Sequence, residues 1–187
     1  MYKTICVTNR KICGEDFLNR IYKIAVEQPT AIILREKDLD EEEYYRLAKE
    51  VLDIAKKTGA NIILHSFSDV CRRLEHRKIH MPLERVKQMT SQEMAYFNTV
   101  GASCHSVEDA VCAQKMGCTY ITAGHIFETD CKKGLPGRGL DFLGEVCRAV
   151  DIPVYAIGGM NEKNAELAVN AGAEGICIMS SAMRKKL

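Results

Sequence analysis

The chain has 187 residues, 47% of them apolar and 27% charged, with a formal net charge of +1. That length suits one domain with a full core, and the near-neutral balance argues against a broad nucleic-acid or membrane footprint. No segment approaches the roughly 20 apolar residues that cross a bilayer, and the N-terminus runs straight into a strand-like pattern without signal-peptide architecture. Nine cysteines, an odd number with no C-x-x-C pair, fit buried free thiols in a reducing cytoplasm better than disulfides or a zinc site.

Short apolar runs alternate with helical segments along the chain. Strands are predicted near Thr4–Thr8, Ala31–Leu34, Asn61–His65, Lys78–Met81, Val100–Cys104, Thr119–Gly124, Pro153–Gly158 and Gly175–Met179. Several are almost continuously apolar, as strands of a parallel sheet covered on both faces should be. Asp40 and Glu43 form a capping-box pattern before an apolar stripe of Tyr44, Leu47, Ala48, Val51, Leu52 and Ala55, and Gly59 suits its C-terminal cap. Ser106 starts another helix and Asn161 a third, while Ser91–Asn98 supports only a stub. His76 lies at a charged helix end and is expected in solvent. Eight strand–helix units in order predict a compact α/β domain over residues 1–187, a small (β/α)₈ (TIM) barrel. The alternative, an open doubly wound sheet, lacks a G-x-G-x-x-G after the first strand.

In a barrel the strand C-terminal ends carry the chemistry, so residues at those ends are the candidates. His125 follows the sixth strand, where an imidazole can take or give a proton near neutral pH. Thr129, Cys131 and Lys132 come within the next seven residues. A thiol beside lysines can act as a nucleophile, but an incidental Cys131 or a polar contact fits better. Gly158 and Gly159 end the seventh strand and Ser180 and Ser181 follow the eighth, the two loops that hold phosphate in this fold. Arg35 and Lys37 flank Glu36 at the end of the second strand and can clamp a carboxylate or phosphate if the extended backbone continues. His65, His80 and His105 also sit at strand ends, as secondary candidates.

These residues, in this order, resemble the thiamine-phosphate synthase/TenI family of small (β/α)₈ barrels. The resemblance runs through nearly the whole chain. It is carried by Arg35-Glu-Lys37, Gly101-Ala-Ser-Cys-His105, Gly124-His-Ile-Phe-Glu-Thr-Asp-Cys-Lys-Lys-Gly134, Ala156-Ile-Gly-Gly-Met160 with Asn164, and Ala171-Gly-Ala-Glu-Gly175 leading into Ser180-Ser181. Two activities are known on this pattern. The synthase joins hydroxymethylpyrimidine diphosphate to a thiazole phosphate with magnesium assistance. The TenI-like tautomerase aromatises a carboxythiazole phosphate by moving a proton, without a metal.

The chain departs from the synthase pattern at four places. Ile33 stands where the synthase has glutamine, and Leu64-His-Ser66 replaces its Asn-Asp. Arg85 replaces a second metal-binding aspartate. In the loop after the sixth strand His125 replaces proline and Cys131 a threonine. Magnesium needs one or two carboxylates, and both expected carboxylates are replaced. The resemblance therefore implies the tautomerase branch, with His125 as general acid–base and no cofactor. Ser103, Arg35, Lys37, Thr129, Lys132, Gly158, Gly159, Ser180 and Ser181 would bind a small thiazole phosphate. Magnesium would enter only if the chain is a synthase, and a non-catalytic thiazole-phosphate binder is a third reading. Neither nucleic acid nor membrane is an expected partner, and family analogy points to a homo-oligomer.

Overall fold

The computed structural model describes residues 2–129 and 134–184. Eight parallel strands close into a barrel in sequence order: β1 (Lys3–Val7), β2 (Ala31–Leu34), β3 (Ile62–His65), β4 (Lys78–Pro82), β5 (Thr99–Cys104), β6 (Tyr120–Gly124), β7 (Val154–Ile157) and β8 (Gly175–Ile178), with β8 pairing back onto β1. Nine α-helices of the described residues surround or cap it: α1 (Phe17–Val26), α2 (Glu41–Thr58), α3 (Ser68–Arg73), α4 (Leu83–Val86), α5 (Ser91–Tyr96), α6 (Val107–Lys115), α7 (Gly139–Ala149), α8 (Ala165–Asn170) and α9 (Ser180–Arg184). The TIM-barrel expectation holds, and every expected strand appears within two residues of its predicted ends. No helix among the described residues is long and apolar enough to cross a membrane. The eight cysteines in them are all free thiols.

Strand alternation divides the apolar residues into two cores. Ile5, Val7, Ala31, Ile33, Ile63, Tyr120, Tyr155 and Cys177 fill the barrel lumen. Their neighbours along each strand, among them Ile32, Leu34, Leu64, Ile79, Val100 and Ile121, face outward and pack under the helices. The same alternation sends Arg35, His65, His80 and Ser103 to the lumen side at or near the upper strand ends.

The local signals act as their chemistry requires. Asp40 accepts from the Glu43 amide at 2.8 Å while Glu43 accepts from the Asp40 amide, and Gly59 ends α2 in the left-handed region. Ser106 caps α6 through the Asp109 amide. The Ser91 segment is a six-residue helix with its own Thr90–Glu93 box. Two expectations need correction. Asn161 does not start a helix: its Oδ1 accepts from the Lys163 amide and its own amide donates to Asn164 Oδ1, so this local turn delays α8 to Ala165. His76 is half-buried, with Nε2 3.0 Å from the Ile62 carbonyl.

Tyr44 ties a helix to two strands. Its hydroxyl, fully buried, donates to the Leu34 carbonyl at 2.6 Å and accepts from the His65 amide at 2.8 Å, bridging the ends of β2 and β3. Burial pushes its pKa far above 10, which keeps it a donor. Tyr44→Phe leaves a buried carbonyl and a buried amide without partners, so we expect a loss of about 1–3 kcal/mol in denaturant melts.

Candidate functional site

The barrel mouth is built from the strand ends. At β2 the backbone turns at Lys37–Asp38, so the extension that would align Arg35 with Lys37 ends at Glu36. Glu36 is the buried member of the trio, 2% exposed. It accepts from Thr8 Oγ1 at 2.6 Å and from the Arg10 amide at 3.0 and 3.2 Å, and the same Thr8 hydroxyl accepts from the Arg35 amide. The carboxylate therefore braces β1 to β2, and burial raises its pKa. Arg35 is half-buried and Lys37 exposed, and the charges of both bear on His65. The two cations are therefore not aligned by continued strand alternation.

His65 and His80 lie side by side in the upper lumen, ring centroids 5.9 Å apart. Burial lowers the pKa of His65 to about 2, helped by His80, Arg35, Lys37 and Arg85. Burial likewise holds His80 down at about 3, with Arg35 adding to it. Both rings are neutral at physiological pH and unsuited to general acid catalysis there. Folded-state pKa values below the unfolded value near 6.5 mean that the unfolded chain binds more protons in acid. The stability they contribute is full above about pH 6.5 and is lost as pH falls, at about 1.4 kcal/mol per pH unit for each ring. Chemical denaturation between pH 7 and pH 4 should show this slope, and His65→Gln should remove about one proton's share of it.

His125 follows β6 through a cis peptide from Gly124. Its ring is 7% exposed, with Nε2 3.3 Å from the Leu135 carbonyl. A carbonyl can only accept, so this contact favours the Nε2–H tautomer and leaves Nδ1 as a lone-pair site. Nδ1 is buried and has no hydrogen-bond partner among the described residues. His105, exposed, contacts the Gly124 carbonyl through Nδ1 at 2.9 Å and so holds the turn rather than the mouth.

Gly158 and Gly159 make room for this loop. The Ile126 and Phe127 amides donate to the Ile157 and Gly158 carbonyls, extending the β6–β7 pairing past the strands. A Cβ on Gly158 would overlap the Cβ of His125 and lie 2.6 Å from its Cα, and one on Gly159 would lie 2.6 Å from the Glu128 carbonyl oxygen. Both residues have positive φ, +95° and +66°, a region side chains rarely adopt. The Gly159 carbonyl is pinned by Asn164 Nδ2 at 2.9 Å and Asn161 Nδ2 at 3.3 Å. Sequence reasoning assigned the glycines to an anion or to a tight strand-to-helix turn. Their passage against His125 could be inferred only from the β6–β7 register.

The remaining candidates fall around this centre. Ser103, half-buried, is 2.9 Å from His80 Nε2. Thr129 is half-buried. Ser180 opens α9 half-buried, whereas Ser181 is exposed and borders a cavity of about 590 Å³ between α1, α9 and the turn at residues 161–163, over the outer side of β1 and β8. Lys132 and Cys131 lie outside the described residues. At the ends of β3 and β4, Arg85 Nη1 donates to the Ser66 carbonyl at 3.2 Å, so a cation stands beside the two histidines there.

Comparison with known proteins gives a consistent picture. Residues 4–182 match a family model described as thiamine monophosphate synthase, TMP-TENI. A putative thiamine-phosphate synthase 2 of Aquifex aeolicus is 36% identical over 174 residues, 93% of this chain and 94% of that protein. A thiamine-phosphate synthase of Clostridium tetani is 30% identical, covering 96% of this chain and 87% of that one. The structure of a thiamine phosphate pyrophosphorylase from Pyrococcus furiosus superimposes with a TM-score of 0.81 at 27% identity, over 97% of this chain and 87% of that one.

Proposed function

From the chain's membership of the thiamine monophosphate synthase (TMP-TENI) family, we propose that it is the thiazole tautomerase of thiamin biosynthesis, moving a proton on a carboxythiazole phosphate. The observation that carries this reading is His125, a buried imidazole just past β6 whose Nδ1 has no hydrogen-bond partner among the described residues. The substrate is a non-aromatic thiazole with a carboxylate on C2 and an exocyclic double bond leading to the ethyl phosphate. Aromatisation removes the proton at C2 and delivers one to the exocyclic carbon. The His125 imidazole takes the first proton and, as imidazolium, returns it to the exocyclic carbon. In this reading Gly158, Gly159 and Ser180 face the phosphate together with Thr129, while Ser181, exposed over the outer side of β8, and Lys132, outside the described residues, are phosphate ligands only by the resemblance. Arg35 and Lys37 attract the carboxylate. Ser103 donates to one of the anionic groups.

Magnesium, which the synthase reaction uses, is held by carboxylate and other hard oxygen ligands. The β3 and β4 ends offer His65, Ser66, His80 and Arg85, and among the described residues no cluster of three or more His, Cys, Asp or Glu is placed to hold a metal. These residues do not fit the ion. A second reading, the synthase itself, is favoured by the names of the relatives at 30–36% identity.

Paired turnover assays separate the two. One offers the carboxythiazole phosphate tautomer, the other pyrimidine diphosphate with aromatic thiazole phosphate, each with and without Mg²⁺. Metal-independent aromatisation is the expected result, and magnesium-dependent thiamine phosphate alone would replace this reading with the synthase. Thiazole phosphate binding without turnover of either pair would leave a binder.

A further inference from the structure

Below the mouth, three side chains from adjacent strands form a hydrogen-bonded line that the proposed proton transfer does not use. Tyr120 on β6 places its hydroxyl 2.9 Å from His80 Nδ1, and His80 on β4 places Nε2 2.9 Å from Ser103 Oγ on β5. The line passes across Gly101. A Cβ there would overlap the ring and hydroxyl of Tyr120 and lie 2.5 Å from His80 Nδ1, so glycine is what lets Tyr120 and His80 meet across β5. Tyr120 and His80 are almost fully buried, at 6% and 3% exposure, while Ser103 is half-open toward the mouth.

The direction of the line follows from donor bookkeeping. The Tyr120 hydroxyl has one hydrogen and, among the described residues, one hydrogen-bond partner, His80 Nδ1. Donating to that nitrogen is how its buried proton is satisfied. A neutral imidazole that accepts at Nδ1 carries its hydrogen on Nε2 and donates to Ser103 Oγ. Burial supports the neutral forms of both groups, lowering the His80 pKa and raising that of Tyr120. Ser103 Oγ then has a lone pair occupied from below and its own hydrogen directed away from His80.

We infer that Tyr120 and His80 are positioning residues that turn the hydrogen of the Ser103 hydroxyl toward the mouth, where it donates to the anionic, acceptor-only oxygen of a ligand. The phosphate and the carboxylate of the proposed substrate are both such groups. The inference rests on the proposed function only in placing an anionic ligand there, and it is tested without turnover.

The first measurement is ¹⁵N NMR of the unmodified, histidine-labelled protein. His80 should show a protonated Nε2 and an unprotonated Nδ1 throughout the range from about pH 5 to pH 8, where an ordinary histidine titrates. The second is calorimetric binding of inorganic phosphate. Ser103→Ala should weaken it roughly tenfold to a hundredfold, the worth of a hydrogen bond to a charged group. His80→Leu should weaken it as much, and the double variant should lose no more than either single one. His80→Gln, whose amide can still donate near the Nε2 position, should recover most of the affinity. A merely structural His80 would give additive losses and no rescue. The opposite tautomer, a ring that titrates in this range, additive losses, or phosphate binding that is absent or indifferent to Ser103→Ala would each overturn the inference. Because the NMR measurement uses no variant, a variant that fails to fold does not remove the test.

Discussion

His125→Gln should lower kcat for aromatisation by about 10²–10⁴-fold, the usual contribution of a positioned general acid–base, while leaving KM close to its starting value. Glutamine keeps a polar group near the Leu135 carbonyl, 3.3 Å from the native Nε2, so the loop retains an anchor. What is lost is a nitrogen that can hold a proton between two carbons. Phosphate affinity, which the account assigns to the β7 and β8 loops and to Ser103, should be unchanged in the same variant. Steady-state kinetics with the tautomer substrate, together with phosphate calorimetry, check both statements. A fall of less than about tenfold in kcat would remove His125 from the chemistry.

Gly158→Ala should cost comparable activity by a different route. The added methyl meets the Cβ of His125 and, at 2.6 Å, its Cα, and these are backbone-anchored atoms that cannot swing aside. Either the β7 loop or the β6 loop has to move, carrying the imidazole with it. A displacement of about 1 Å at a reacting group can cost about 10²-fold. The φ of +95° adds a conformational penalty for any side chain, so stability should also fall by about 1–3 kcal/mol. Kinetics and denaturant melts on one preparation separate the two losses. Gly158→Ala with kcat intact would mean that the imidazole is not positioned by this contact. Gly134→Ala makes a useful contrast, because it shares a positive φ of +82° but its Cβ would meet nothing within 4 Å among the described residues.

The strands were legible because a parallel sheet buried on both faces demands unbroken apolar runs, and Ala31–Leu34 or Gly175–Ile178 leave little choice of reading. Helix starts were legible where a side chain caps the first turn, as at Asp40 and Ser106. At Asn161 the same side-chain chemistry builds a separate turn, and sequence alone does not separate the two outcomes. The site was legible by position along the chain and less so by partner. His125, Arg35 and Gly158 stand at strand ends, as the barrel rule requires. Glu36 read only as the carboxylate flanked by the Arg35 and Lys37 clamp, yet it is the buried brace, because its partners Thr8 and Arg10 come from another strand end. Tyr120 read as core within an apolar run. Its hydroxyl has a task only once β4, β5 and β6 are in register, and Gly101 shows that task by what a side chain there would strike.

The central claim is that this barrel moves a proton using its own imidazole. The most direct test is to follow the carboxythiazole phosphate tautomer by NMR with the purified protein in excess EDTA. Aromatic product should form at a rate proportional to protein, unchanged by added Mg²⁺ and lost in His125→Gln. No conversion under any metal condition, with thiamine phosphate formed from the pyrimidine diphosphate pair when Mg²⁺ is added, would contradict the claim.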